Sequence, residues 1–378
     1  FTLMKENEAN ARERLRAFLA GASLGDRPAL WVVADIEEGS SPPPARTRPV
    51  RGPDLERKAA DLDPAWHIER IDRALGNTAF LAEAMPTATI MVGTDITNTA
   101  VLLGGDYDYL YGEAIIRRDP GVLEAAPPAF DPQHPLVRRL ETVYRSVAEH
   151  VCRRAFVNTV MTLDALTAMS QLLGPWDFCL KLLRRSDWVA GRALAITQLN
   201  VAFYRHFHAL LVSLGHGESS GWFHTMAEGR FDCLRADCSV MISPDMFERF
   251  AIPQLRLQSE SLDRCLFNMD SVRMLRFLDS IASIPSLDGI YWNPERQNRD
   301  LRGWIDALCA IRARGLLLEI TAASVEEACF AARTLGPDGL LISLPRFSSR
   351  EEGLIAIERI GRACAATPSR KRSRSGAM

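Results

Sequence analysis

The sequence predicts a parallel α/β fold, a (β/α)8 TIM barrel carrying an N-terminal helical and loop elaboration. Three observations lead there. Beyond residue 230, short apolar runs alternate with amphipathic segments at a repeat of about 25 residues, the pattern of strands paired in parallel and covered by helices. The chain has 378 residues, 47% hydrophobic and 24% charged, enough to bury one large core. No GxGxxG follows the first apolar run, so a doubly wound dinucleotide-binding sheet loses its main signature.

In chain order, residues 1–20 read as an amphipathic helix and GDRPALWVVAD as a turn leading into the first strand. The Pro/Arg-rich stretch around 40–53 breaks all periodicity and reads as an exposed loop. Helical spacing returns from Trp66 to Leu81, and ATIMVG and GGDYDYLYGEA read as strand and loop. Residues 135–152 form a helix, 155–161 a β-branched strand, 163–173 and 188–214 helices. GHGESSGWFH then precedes five strand-and-helix pairs: 234–240 with SPDMFERFAIPQLRLQSESLD, RCLFNMD with 272–284, LDGIYW with 301–313, LLLEIT with 324–335, and DGLLISL with 349–360. Ser243 and Asp245 suit the first turn of the first of these helices. The expected organisation is one domain over 1–366, with the elaboration over about 1–85, and a disordered basic tail over 367–378.

Composition narrows function. A net charge of −2 gives no reason to expect a nucleic-acid or membrane partner, and no run approaches the roughly 18 apolar residues of a membrane helix. Cys152, Cys179, Cys233, Cys238, Cys265, Cys309, Cys329 and Cys364 form no CxxC pair or secreted framework, so reduced thiols and a cytoplasmic location are expected. In a barrel, chemistry sits at the C-terminal ends of strands. Polar residues directly after apolar runs are Asn268 and Asp270, Trp292 and Asn293, Glu319 and Thr321, and Ser343. Each alone is as readily a helix cap; their recurrence points to a shared pocket. Asn268 and Asp270, two apart, share one side of their strand. Around GHGESSGWFH, His216, His224, Ser219 and Trp222 are further candidates, and Asp237 closes an earlier strand.

At residues 237–304 the motifs DCSVMISPDMFERFAIPQL and FNMDSVRMLRFLDSIASIPSLDGIYWNPE resemble the uroporphyrinogen decarboxylase-like superfamily, with its ISPxxFxxFxxP and HLDG…HLD…IPxLxxIxWxP patterns. ARERLRAFLAGASLGDRPALWVV, NTAFLAEAMPTA and TLDALTAMSQLLGP extend the likeness over most of the chain. The resemblance implies one of several reactions, since the superfamily holds true uroporphyrinogen decarboxylases, corrinoid-dependent methyltransferases and relatives of cobalamin-independent methionine synthase. The decarboxylases' Arg-rich PVWxMRQAGRY segment is matched here by PALWVVADIEEG, where Asp35, Glu37 and Glu38 would repel a polycarboxylate, which argues against the heme-pathway reaction. The methyltransferases' zinc-binding His-x-Cys pair is replaced by Asn268 and Asp270, so zinc is not expected unless Cys233, Cys238 or Cys265 supplies ligands.

The leading expectation is therefore a corrinoid-linked methyl-group transferase acting on a small polar substrate. Asp270, Asn268, Glu319 and His216 are its catalytic candidates, and Ser219, Trp222, Asp237, Trp292, Asn293, Ser343 and Arg346 its substrate-binding candidates. A corrinoid protein is the implied partner, a homodimer is compatible, and no cofactor is certain. The alternatives are a metal-free decarboxylase or lyase on a small carboxylic acid, held by Arg273 or Arg346, and a non-catalytic ligand-binding barrel.

Overall fold

The computed structural model describes residues 5–36, 55–91, 93, 97–110, 113–125, 129–221, 223–295, 297 and 299–365. The loop at 40–53 and the tail at 367–378 lie outside them. In chain order the strands are β1 (Ala29–Asp35), β2 (Thr78–Ala82), β3 (Thr87–Ala88), β4 (Tyr107–Leu110), β5 (Glu113–Ile116), β6 (Phe156–Val157), β7 (Glu218–Ser220), β8 (Met226–Glu228), β9 (Phe231–Leu234), β10 (Arg264–Met269), β11 (Gly289–Trp292), β12 (Leu317–Thr321) and β13 (Leu340–Ser343).

Seven of them form the central sheet in the order β2-β1-β13-β12-β11-β10-β9, parallel throughout except for β2, which runs antiparallel to β1. β3 and β6 make a separate parallel pair. The fold is thus a mixed α/β structure around a mostly parallel sheet. The chain passes from β6 toward β9 through the β7–β8 hairpin, where the Thr159 N–H donates to the Ser220 carbonyl at 3.1 Å.

The alternating strand-and-helix register appears as expected over β10 to β13, each followed by a helix: Leu278–Ala282, Ile305–Ala313, Val325–Leu335 and Arg350–Ala365. Two expectations shift. The strand expected at 234–240 is β9, at Phe231–Leu234, and Asp237–Met241 is a tight 3-10 turn. Its backbone donors are taken off-sheet, Asp237 N–H by the Asp164 carboxylate at 3.2 Å and Cys238 N–H by Thr167 Oγ1 at 2.9 Å, leaving none for a ladder. The helix expected to reach Leu81 ends at Gly76, because Thr78–Ala82 pairs with β1 instead. Ser243 does cap its helix, accepting from Met246 N–H at 3.3 Å, and a π-turn over Phe247–Ala251 absorbs Pro253, which has no N–H to give the preceding turn.

Strand parity sorts the sheet into two faces. Leu30, Val32, Phe267, Met269, Ile290, Leu318 and Ile342 pack outward in the main core with the helices. Ala29, Phe231, Cys233, Leu266, Tyr291, Leu317 and Leu341 join Phe156 and the helix Glu8–Leu19 in a second, inner cluster. Ala11, Leu15, Phe18 and Leu19 of that helix therefore cover the inner face at the strands' N-terminal ends. Arg12 pairs with Glu218 at 2.5 Å and Arg16 with Glu228, tying the same helix to the β7–β8 hairpin.

Candidate functional site

Above the inner apolar layer, toward the strands' C-terminal ends, the inner face turns polar. Register aligns Asn268, Tyr291 and Glu319 laterally across β10, β11 and β12, each on the side of the inner-cluster residue two positions earlier or at its own position. Thr321 and Ser343 sit one step further, their hydroxyls 2.8 Å apart.

Glu319 is fully buried and satisfied by four donors from the turn between β7 and β8. His224 donates from its backbone N–H at 2.8 Å and from Nδ1 at 3.1 Å; Thr225 donates from N–H at 3.2 Å and from its hydroxyl. This carboxylate fastens the turn to β12. Gly221 permits the same turn, because a Cβ there would lie 2.2 Å from the Phe223 ring that folds back into the inner cluster. His224 lies half-buried with its ring 5.2 Å from that of Trp31.

Three carboxylates gather at the neighbouring strand ends. Asp164 follows β6 and caps the helix Ala165–Leu173, accepting from Thr167 N–H at 2.9 Å as well as from Asp237 N–H. Asp237 follows β9 and Asp270 follows β10. Burial, and next the Asp237 charge, push both Asp164 and Asp270 up to about 7, while Arg235 partly counters this at Asp270. Asp237 Oδ1, Asp270 Oδ1 and Asn268 Oδ1 are all buried without a hydrogen-bond partner. Unsatisfied acceptors cost free energy in the protein alone, so this sector is built to receive donors.

The other candidates fall into distinct places. His216 is buried beside the Ala148 backbone, and burial lowers its pKa. The helix Pro135–Val151 that carries Ala148 leads into the start of β6, so His216 lies at the opposite end from Asp270. Trp292 shares parity with Ile290 and faces outward against Trp304, with ring centroids 6.1 Å apart, so it does not wall the polar sector. Both faces of β11 are buried, which hides the facing of an aromatic residue in the sequence. Ser219 is spent on the Gly229 carbonyl at 2.5 Å. Arg346 is anchored by Asp35, by Thr78 Oγ1 at 2.9 Å and by the Asn77 carbonyl, while Arg273 is exposed. Asn293 follows β11 and accepts from Arg299 at 3.2 Å. Trp222, Glu37 and Glu38 lie outside the described residues.

Cys233 faces the inner cluster, Cys265 faces outward with its thiol against the Ser286 carbonyl at 3.2 Å, and Cys238 sits behind Asp237. Burial raises all three thiols. They point into different compartments, and no three His, Cys, Asp or Glu side chains among the described residues are grouped to hold a metal ion. The thiols therefore do not fit the zinc site that the family resemblance brings to mind. Among the described residues no helix is long and apolar enough to cross a membrane.

Asp164 is the site residue that sequence reasoning passed over. Its signal was present: it directly follows the apolar run after β6, as Asp270 follows β10.

No protein-family model matches this chain, and no curated protein matches it. Among solved structures, a methyltransferase from Methanosarcina mazei is similar over 93% of this chain and 98% of its own, with a TM-score of 0.57 and 13% sequence identity. The likeness is one of fold. At that identity the two chains share an architecture, and chemistry has to be read from the residues themselves.

Proposed function

We propose that this chain is a uroporphyrinogen decarboxylase-like (β/α)8 barrel enzyme that transfers a methyl group to or from a small polar substrate bearing N–H or O–H donors. The eight barrel strands in this reading are β1, β3, β6, β9, β10, β11, β12 and β13, with β2 lying antiparallel along Trp31–Asp35 at the seam between β1 and β3 and the β7–β8 hairpin at the seam between β6 and β9. The observation that carries the substrate class is the trio of unpartnered buried acceptors on Asp237, Asp270 and Asn268. An ammonium, amine or hydroxyl entering there satisfies them. Asp270, with its pKa raised toward neutrality, both accepts a hydrogen bond and exchanges a proton at physiological pH. The fold likeness to a methyltransferase supports the reaction class, and the resemblance of the sequence motifs to the superfamily adds a corrinoid-carrying protein as the methyl source.

The lyase alternative has less support. It needs a free cation to grip a carboxylate, and Arg346 is already held by Asp35 while Arg273 is exposed. The test is demethylation of free methylcobalamin, followed by absorbance, against a panel of small amines, alcohols and thiols. Turnover with an N–H or O–H acceptor, reduced at least about 100-fold by Asp270→Asn, is the expected result. Turnover unchanged in that variant removes Asp270 from the reaction.

A further inference from the structure

We propose that His224 is a proton acceptor held inside the site, with Glu319 as the residue that positions it. The assignment deepens the transferase reading and rests on it for the identity of the group that gives up the proton. Glu319 accepts from Nδ1 of His224 at 3.1 Å and from its backbone N–H at 2.8 Å, so the ring is fixed at two points by one carboxylate. Against an ionised Glu319 the ring donates from Nδ1, and in the neutral imidazole that tautomer leaves the Nε2 lone pair as the acceptor. Thr225 donates twice to the second oxygen of Glu319, so the carboxylate cannot swing away without abandoning all four of its donors.

Access completes the case. Glu319 is fully buried, yet the His224 side chain retains 26% exposure. The helix Glu8–Leu19 closes the inner face at the strands' N-terminal ends, so the imidazole is reached from the C-terminal side, the side on which Asn268 and Asp270 lie. The Trp31 ring lies beside the imidazole, with centroids 5.2 Å apart and planes tilted by 51°. A positioned carboxylate, a fixed tautomer and an open second nitrogen are the requirements for a general base.

The step balances with an electrophilic methyl donor. The N–H or O–H bond of the acceptor substrate breaks, and its proton goes to Nε2. The freed electron pair forms the new bond to the methyl carbon, and the donor keeps the pair that had bound that carbon. A base beside the acceptor makes it nucleophilic by taking its proton.

Nitrogen-detected NMR of the imidazoles and carbethoxylation with diethyl pyrocarbonate, mapped by mass spectrometry, test the assignment without needing turnover. The expected result is His224 in the Nδ1–H tautomer and labelled in the folded protein while buried His67 is spared, with Glu319→Gln mixing the tautomers. An Nε2–H tautomer, or no label on His224, overturns the proposal. Where methylcobalamin turnover is found, His224→Gln lowers kcat at least about 100-fold with KM nearly unchanged, and added imidazole restores part of the rate in His224→Ala. Full kcat in His224→Gln also overturns it. If methylcobalamin is inert while tautomer and labelling are as expected, the methyl-transfer reading fails and the poised base stands.

Discussion

Asp270 combines burial with an unpaired oxygen and a like charge nearby, and the free-energy consequence has a definite sign. An unfolded aspartate ionises near pH 4, whereas in the fold this group holds its proton up to about 7. Between those values the native state binds the extra proton, so stability falls as pH rises through this window and levels off above it. Asp164 is shifted the same way and adds to the trend. Thermal melts from pH 4 to pH 8 should show this decline, and Asp270→Asn should flatten it. The same variant should be more stable at pH 8 by on the order of 1 kcal/mol, since it keeps the shape and removes a charge that burial and Asp237 disfavour more than Arg235 favours it. A variant less stable than wild type at pH 8 would mean that Asp270 is satisfied in a way the geometry does not show. At this scale the sequence was partly legible: Asn268 has the parity of Leu266, which packs in the inner cluster, and Asp270 directly follows the end of β10. Trp292 was not legible, because a strand buried on both faces has no polar alternation to mark its inner side.

Among the elements, the β7–β8 hairpin depends on β12 more than on its own ladder, which is only three residues long on each side. Its turn is anchored by four hydrogen bonds to one carboxylate. Glu319→Ala would strand those donors in a buried site, and urea denaturation should register a loss of about 3 kcal/mol or more. Glu319→Gln keeps the shape and should cost less. Equal costs for the two variants would show that the space filled matters and the acceptors do not. The sequence marked Glu319 as anomalous, a charge closing an apolar run, but not its partners, which stand 94 and 95 residues earlier in the chain. No local pattern encodes a contact of that separation. The helices after β10 to β13 were legible for the opposite reason: their caps and apolar spacing are local, as with Ser324 accepting from Glu327 N–H at 3.2 Å.

For the molecule as a whole, the recurring strand-and-helix rhythm made the parallel sheet readable from sequence, while the closure of its inner face came from a helix at the far end of the chain. Phe18 is fully buried in that closure, and Phe18→Ala should destabilise the protein by about 3–5 kcal/mol in urea unfolding. A loss below about 1 kcal/mol would show that the helix docks loosely and the inner cluster does not need it. The closure also governs traffic. On the proposed transferase reading, a helix across one end would leave reactants to enter at the other, and whatever enters first would stand behind whatever comes second. A small acceptor would have to be seated before a bulky methyl carrier settles over the opening, and a carrier that arrives first would shut the acceptor out, so binding order itself becomes a property of the architecture.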